Sequence, residues 1–151
     1  MKILALDTAT KSGWAIMQDG KVVESGTEDF TKHRGESNGM LFLKFRTWLT
    51  RMLLQDITLV VYEQAHHRGG AATEICVNLT GRVQEMCSEL NIEYTSVHTA
   101  TLKKWATGCG NADKGEMMVR ASYILGRKPI DDNEADAVLL GAYTSEMYSN
   151  D

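Results

Sequence analysis

Four acidic residues of this chain stand where their carboxylates could meet. Asp7 ends the first apolar run of the sequence, and Glu63 directly follows another, "ITLVVY". If these runs are neighbouring parallel strands, both acids emerge at one edge of the sheet, where open α/β sheets place their sites. Asp132 and Asp136 are four residues apart and can share one face of a helix, which would bring further carboxylates to that edge.

Such a cluster of carboxylates repels itself unless cations neutralise it. Oxygen ligands without cysteine or histidine spacing favour Mg²⁺ or Mn²⁺. Two such ions about 3.5–4 Å apart would hold a phosphodiester, activate a water molecule and stabilise the leaving oxygen. The plain alternatives are that Asp7 is a turn residue and that the acids of the last helix complement its dipole. For that helix taken alone, the dipole is the more common explanation.

The composition predicts a single globular domain over residues 1–151. No run approaches the roughly 18–20 apolar residues that cross a bilayer, so we expect no membrane partner. The first apolar run is too short for a signal peptide. Three cysteines without CxxC pairing indicate neither a disulfide framework nor a zinc site. These features favour a reducing, cytoplasmic setting.

The net charge of −4 argues mildly against a protein that coats nucleic acid. Carboxylates gathered in one metal site would nevertheless lower the formal charge and leave basic residues free to contact a partner. The basic residues do cluster, at Lys32, His33 and Arg34, at Lys103 and Lys104, and at Lys114, Arg120, Arg127 and Lys128. A solvated surface explains these lysines and arginines equally well.

Apolar periodicity and turn residues predict a mixed sheet with helices on both faces. The predicted strands span 2–7, 13–17, 21–25, 57–62 and 92–97, and the predicted helices span 37–55, 71–90, 99–106, 115–125 and 133–148. Asp19-Gly20 is a hairpin turn signal, so the first three strands form an antiparallel meander, followed by a loop over 28–39. The later strands return through helices and are parallel, which gives a five-stranded α/β sheet.

In order and spacing, these segments resemble the RuvC-type Holliday junction resolvases of the RNase H-like superfamily. The resemblance covers about residues 2–145 and is carried by "ILALDTATKSGWAI", "LVVYEQ", "LKKWATGCGNADKGEMMVRA" and "DNEADAVLLGAY". It implies a single RNase H-like nuclease domain in which acids of the first strand, the fourth strand and the last helix bind the metal ions. The corresponding residues here are Asp7, Glu63 and Asp136.

Two departures separate this chain from the common pattern of that family. Thr8 and Ala9 follow the first aspartate where the family commonly has proline and glycine, so the chain looks more like the compact resolvases of phages and prophages. The family's fourth acid, three residues before the last one, is replaced by Asn133. Asp132 lies within about 40° of Asp136 around a helix and is our predicted fourth ligand, with Asn133 as the neutral alternative.

The resemblance also assigns roles to basic residues. The family places one lysine in the short helix and another before the next helix, which correspond to Lys103 and Lys114. Lys114 would stabilise charge at the scissile phosphate, and Lys103 and Lys104 would hold backbone phosphates. His66 falls at or near an aromatic residue that wedges into the junction centre, and Arg68 could bind phosphate beside it. An exposed loop explains His66 and Arg68 equally well.

The leading hypothesis is a Mg²⁺-dependent, structure-selective endodeoxyribonuclease that resolves Holliday junctions and related branched DNA by paired nicks, with Mn²⁺ able to substitute. Resolvases of this type act as homodimers, since a four-way junction presents two symmetric strands. The resemblance implies the cytoplasm of a bacterial cell or a phage-infected bacterial cell. Two alternatives stay open: an actin-like ATPase or sugar-kinase fragment, which also begins with a strand, an aspartate and a hairpin, and a module that binds junctions without cutting them.

Overall fold

The computed structural model describes residues 1–65 and 69–149 as a five-stranded sheet with five helices. The strands are β1 (Lys2–Asp7), β2 (Lys11–Gln18), β3 (Lys21–Asp29), β4 (Leu59–Glu63) and β5 (Glu93–Val97). The helices are α1 (Asn38–Leu53), α2 (Ala71–Glu89), α3 (Thr99–Thr107), α4 (Lys114–Leu125) and α5 (Asp132–Ser149). The strand order is β3-β2-β1-β4-β5, with antiparallel pairing in the β3-β2-β1 meander and parallel pairing from β1 through β4 to β5. The predicted mixed sheet is therefore confirmed.

The meander follows from its turn and its apolar residues. Asp19 and Gly20, the two residues between β2 and β3, both have positive φ angles, of 52° and 80°. Such angles at both central residues are typical of the type I′ turn, whose twist matches that of a two-stranded hairpin. β1 and β4 lie at the centre of the sheet, and their aliphatic side chains are buried on both faces.

Helices cover both faces of the sheet, as the sequence predicts. On one face, α1 and α2 pack on strand residues such as Leu4, Leu6 and Val60. On the other, α3, α4 and α5 pack on residues such as Ala5 and Val61. None of the helices in the described part of the chain is long and apolar enough to cross a membrane.

Two local predictions are wrong. β3 continues to Asp29, where the sequence predicts a loop from residue 28, because Lys11–Gly13 of β2 extends the antiparallel ladder alongside it. Leu90, the last residue of the helix predicted over 71–90, lies outside α2 and is 43% exposed. The reason is that α2 ends at Glu89, and Asn91, with a φ of 61°, turns the chain towards β5.

Candidate active site

Three carboxylates meet at the edge of the sheet where the parallel strands end. Asp7 is the last residue of β1 and Glu63 the last of β4, and the parallel register that pairs Leu6 with Tyr62 brings these acids side by side. Asp136 joins them from the first turns of α5. Each of the three residues offers one oxygen, and these oxygens all lie within 4.8 Å of one another.

A close approach between α5 and β2 makes this meeting possible. Gly13 pairs with Asp7 across the β1–β2 ladder, and the backbone carbonyl of Asn133 lies directly against it. A Cβ atom built on Gly13 would stand 1.8 Å from the Asn133 oxygen, which no packing tolerates. Glycine at this position therefore lets the start of α5 pack against β2 beside the carboxylates.

Burial and mutual repulsion raise the pKa of two of these acids. The pKa of Asp7 lies well above its usual 3.8, first because the carboxyl is buried and then because Glu63 and Asp136 carry like charges. Burial, followed by the charges of Glu63 and Asp132, raises the pKa of Asp136 to about 7. A divalent cation fits this group of carboxylates, because its positive charge would relieve their repulsion and because such cations prefer hard oxygen ligands.

Glu63 is held by a residue that the sequence analysis missed. The hydroxyl of Thr99 donates a hydrogen bond of 2.9 Å to Oε2 of Glu63 from the first residue of α3. The backbone N–H of Gln64 donates to the carbonyl of Val97 at 2.9 Å, which holds the chain after β4 beside the end of β5. The sequence does show a threonine at the start of a helix that follows a strand. It does not show that this threonine contacts Glu63, because the two residues are 36 positions apart.

The predicted fourth acid lies beside the three carboxylates and contacts a lysine. Asp132 is outside the group of His, Cys, Asp and Glu side chains that meet within 4.8 Å among the described residues. Its Oδ2 lies 2.9 Å from Nζ of Lys114, whose side chain is 86% exposed. This hydrogen bond, followed by the charge of Asp132, raises the pKa of Lys114. Asp132 therefore connects the carboxylate cluster with a lysine at its rim.

The remaining predicted contacts lie on α3 or outside the described residues. Lys103 is half-buried on α3, and its positive charge opposes the rise in the pKa of Asp136, which places it near the cluster. Lys104, the next residue, is exposed. His66 and Arg68 lie outside the residues that the structure describes.

Comparison with known proteins gives matches by structure. No family model and no curated protein matches the sequence. The structure of RuvC from Thermus thermophilus matches with a TM-score of 0.80 at 16% identity, over 99% of this chain and 97% of that chain. The chain has the RuvC fold.

Two DNA complexes share this RuvC fold. T. thermophilus RuvC in complex with Holliday junction substrate matches with a TM-score of 0.80 at 17% identity, over 97% of this chain and 96% of that one. The Fowlpox virus resolvase in complex with substrate Holliday junction DNA matches with a TM-score of 0.58 at 11% identity, over 98% and 99%. The predicted resemblance to RuvC and the RNase H-like fold class are confirmed.

Proposed function

We propose that this chain is a metal-dependent endodeoxyribonuclease that resolves Holliday junctions and related branched DNA by paired nicks. The observation that carries the proposal is the approach of Asp7, Glu63 and Asp136 to one another at the carboxyl edge of a RuvC fold. Two structures with this fold are complexes with Holliday junctions, which supports the same substrate class here.

Asp7, Glu63 and Asp136 would hold Mg²⁺, and Mn²⁺ would substitute because it takes the same oxygen ligands. When bound, a pair of such ions would supply an activated water molecule and charge stabilisation at the leaving oxygen, giving a 5′-phosphate and a 3′-hydroxyl. Asp132 is the proposed fourth ligand, with Asn133 as the neutral alternative. Metal titration of Asp132→Asn and Asn133→Ala would separate the two.

The lysines around the cluster would bind and orient the DNA. Lys114 presents an exposed ammonium beside Asp132, where it can donate hydrogen bonds to a non-bridging oxygen of the scissile phosphate. Lys103 and Lys104 would contact backbone phosphates on the α3 side. His66 and Arg68 are proposed to contact the junction centre. Recognition in this arrangement is mainly of backbone path and branch shape.

Paired nicks require two active sites, and we propose that a homodimer supplies them. The two strands cut in a four-way junction are related by two-fold symmetry, which a C₂ dimer matches. The proposed setting is the cytoplasm of a bacterial cell or a phage-infected bacterial cell.

Cleavage of labelled DNA tests the proposal directly. Four-way, three-way and flap substrates are incubated with Mg²⁺, Mn²⁺ or EDTA, and we expect four-way junctions to be nicked in both ions and intact in EDTA. Asp7→Asn should reduce cleavage to background while junction binding is retained, because the substitution removes a ligand charge and no phosphate contact.

The matched control is Asp19→Asn, which removes the same charge from an exposed turn at the opposite edge of the sheet and should cut normally. Wild-type protein that binds four-way junctions without nicking them in either ion would establish a junction-binding module instead.

A further inference from the structure

Glu134 is the one fully buried charged side chain within residues 1–65 and 69–149. Arg127 binds its carboxylate with two hydrogen bonds, from Nη1 to Oε1 at 3.1 Å and from Nη2 to Oε2 at 2.8 Å. The backbone N–H of Ile130 donates to Oε1 at 2.6 Å, and the hydroxyl of Ser25 donates to Oε2 at 2.8 Å. Both oxygens are therefore satisfied, although the side chain is shielded from water.

These bonds join three elements around the first turn of α5. Arg127 follows the end of α4, Ser25 lies on β3, and Glu134 is the third residue of α5. A second connection runs parallel to the first: Oδ1 of Asp131 accepts from the hydroxyl of Thr27 on β3 at 2.6 Å and from the N–H of Glu134 at 2.9 Å. The start of α5 is thus fixed to β3 and to the end of α4.

Stability alone does not account for this ion pair. Glu134 is fully buried, so removing its carboxylate from water is costly, whereas the Arg127 side chain stays 48% exposed and water weakens the attraction that it returns. Apolar side chains of similar volume often stabilise a fold equally well. An ion pair with four directed hydrogen bonds differs from apolar packing because it fixes position and orientation.

The position of the first turn of α5 determines where Asp136 stands in the carboxylate cluster. Asp136 lies two residues beyond Glu134, and one of its carboxylate oxygens lies within 4.8 Å of oxygens of Asp7 and Glu63, so their negative charges repel one another. This repulsion pushes the start of α5 away from the edge of the sheet. The bonds of Glu134 and Asp131 to β3 oppose that displacement.

We propose that the network of Arg127, Glu134 and Ser25 holds Asp136 in its metal-binding position before any cation arrives. The inference rests on the proposed function, since it assigns a purpose to residues around the proposed metal site. We assign Arg127 and Glu134 as positioning residues, since neither belongs to the group of carboxylates that meet at the edge of the sheet and both act through the placement of α5. A site whose ligands are already gathered binds its ion more tightly than one that must be assembled.

Calorimetric titration with Mn²⁺ in the absence of DNA tests the inference, together with the melting temperature of each metal-free variant. Arg127→Gln and Glu134→Gln should bind Mn²⁺ about tenfold more weakly than wild type, the lower end of the loss caused by removing support around metal ligands. The double variant R127M/E134L, which replaces the pair by apolar side chains, should stay folded and show the same weak binding. Arg127→Lys keeps the charge and should recover part of the affinity.

The matched control is Glu85→Gln, because Glu85 pairs with Arg46 on the exposed surface between α1 and α2. It should leave the Mn²⁺ affinity unchanged. Folded R127Q and R127M/E134L proteins that bind Mn²⁺ as tightly as wild type would show a purely structural network and overturn the inference, while the proposed function stands. Wild-type protein that binds no Mn²⁺ would overturn both.

Discussion

At the scale of single residues, the crowded carboxylates make the metal-free protein sensitive to pH. Burial and repulsion raise the pKa of Asp136 from its usual 3.8 to about 7 in the folded state. Between these two values the folded protein binds a proton that the unfolded chain has already released. The free energy of unfolding therefore falls as the pH rises through this window, by about 1.4 kcal/mol for each unit of pKa difference.

We expect the protein in EDTA to lose thermal stability as the pH rises from about 4 to about 7. Asp7, whose pKa is also raised, acts in the same direction. Mg²⁺ should restore the lost stability at neutral pH, because it binds the ionised carboxylates. Melting temperatures measured across this range check the prediction, with Asp136→Asn as the comparison. This variant lacks the titrating carboxyl group of Asp136. A wild-type melting temperature in EDTA that changes with pH in the same way as that of Asp136→Asn would contradict the prediction.

The acidic run before and within α5 shows how far residue types alone could lead. Helical spacing predicted that Asp132 and Asp136 share one face; Asp136 lies in the carboxylate group and Asp132 pairs with Lys114 beside it. Asp131, just before α5, accepts a hydrogen bond from the N–H of Glu134 in the first turn. The burial of Glu134 could not be predicted, because its partners Arg127 and Ser25 lie elsewhere in the chain. Neighbouring acids with identical chemistry thus acquire different roles from the elements that pack around them.

At the scale of elements, the site depends on how closely α5 packs on the sheet. Gly141 of α5 packs on β1 and β2, where a Cβ atom would stand 2.7 Å from Cγ of Met17 and 3.4 Å from Ala5. Gly13 allows the same close approach beside the carboxylates. Small residues therefore determine the distance between α5 and the sheet, and this distance determines the position of Asp136.

Gly13→Ala should destabilise the protein by about 1–3 kcal/mol or more, because the added methyl group has no space beside the Asn133 carbonyl. The displacement of α5 should also weaken Mn²⁺ binding. Chemical denaturation and calorimetry measure the two effects. Gly81→Ala is the control: it adds the same methyl group in the interior of α2, where no heavy atom lies within 4 Å, and should stabilise by about 0.5–1 kcal/mol. A Gly13→Ala protein as stable as wild type would contradict this account of α5.

The order and type of the elements could be predicted from periodicity, because buried aliphatic runs and amphipathic stripes are local signals. The buried residues of α1 are the apolar residues at helical spacing, Leu41, Phe45, Trp48, Leu49, Met52 and Leu53. The extension of β3 to Asp29 was missed because "TED" has no apolar alternation. Its strand conformation comes from pairing with β2, which only the folded chain supplies.

At the scale of the whole molecule, the net charge of −4 conceals an uneven distribution. Acids gather at the proposed metal site, and Lys103, Lys104 and Lys114 lie on the helices beside it. Cations bound at the carboxylates would neutralise the local negative charge and leave these lysines to attract DNA. Junction binding should accordingly be stronger with a divalent ion than in EDTA.

Lys103→Gln with Lys104→Gln should weaken junction binding and reduce its dependence on salt. Each lost phosphate contact lowers the slope of log affinity against log salt by about 0.9 for duplex DNA, so the double variant should lose up to about 1.8. Fluorescence anisotropy over a series of salt concentrations, in Ca²⁺ to prevent cleavage, measures the slope. The control, K2Q/K21Q, removes two charges from the opposite edge of the sheet and should keep the wild-type slope. Equal slopes in both double variants would exclude the α3 lysines from the interface.

The architecture as a whole could be predicted although identities to structures of the same fold are only 16% and 17%. Three acids at the ends of two strands and on one helix, in a fixed order, limit the possible topologies strongly. The pairing of Lys114 with Asp132 and the support of Glu63 by Thr99 could not be predicted. Each depends on side-chain distances between separate elements, which order along the chain does not determine.

The direction of β1 has a practical consequence for measuring these properties. The strand begins at Lys2 and ends at Asp7, so the exposed Met1 lies a full strand length from the carboxylates, about 20 Å at the usual rise per residue. A biotin or fluorophore attached through a short linker at Met1 would leave the opposite rim facing solution. The protein can therefore be tethered to a sensor surface by this end and titrated with ions and junctions in turn.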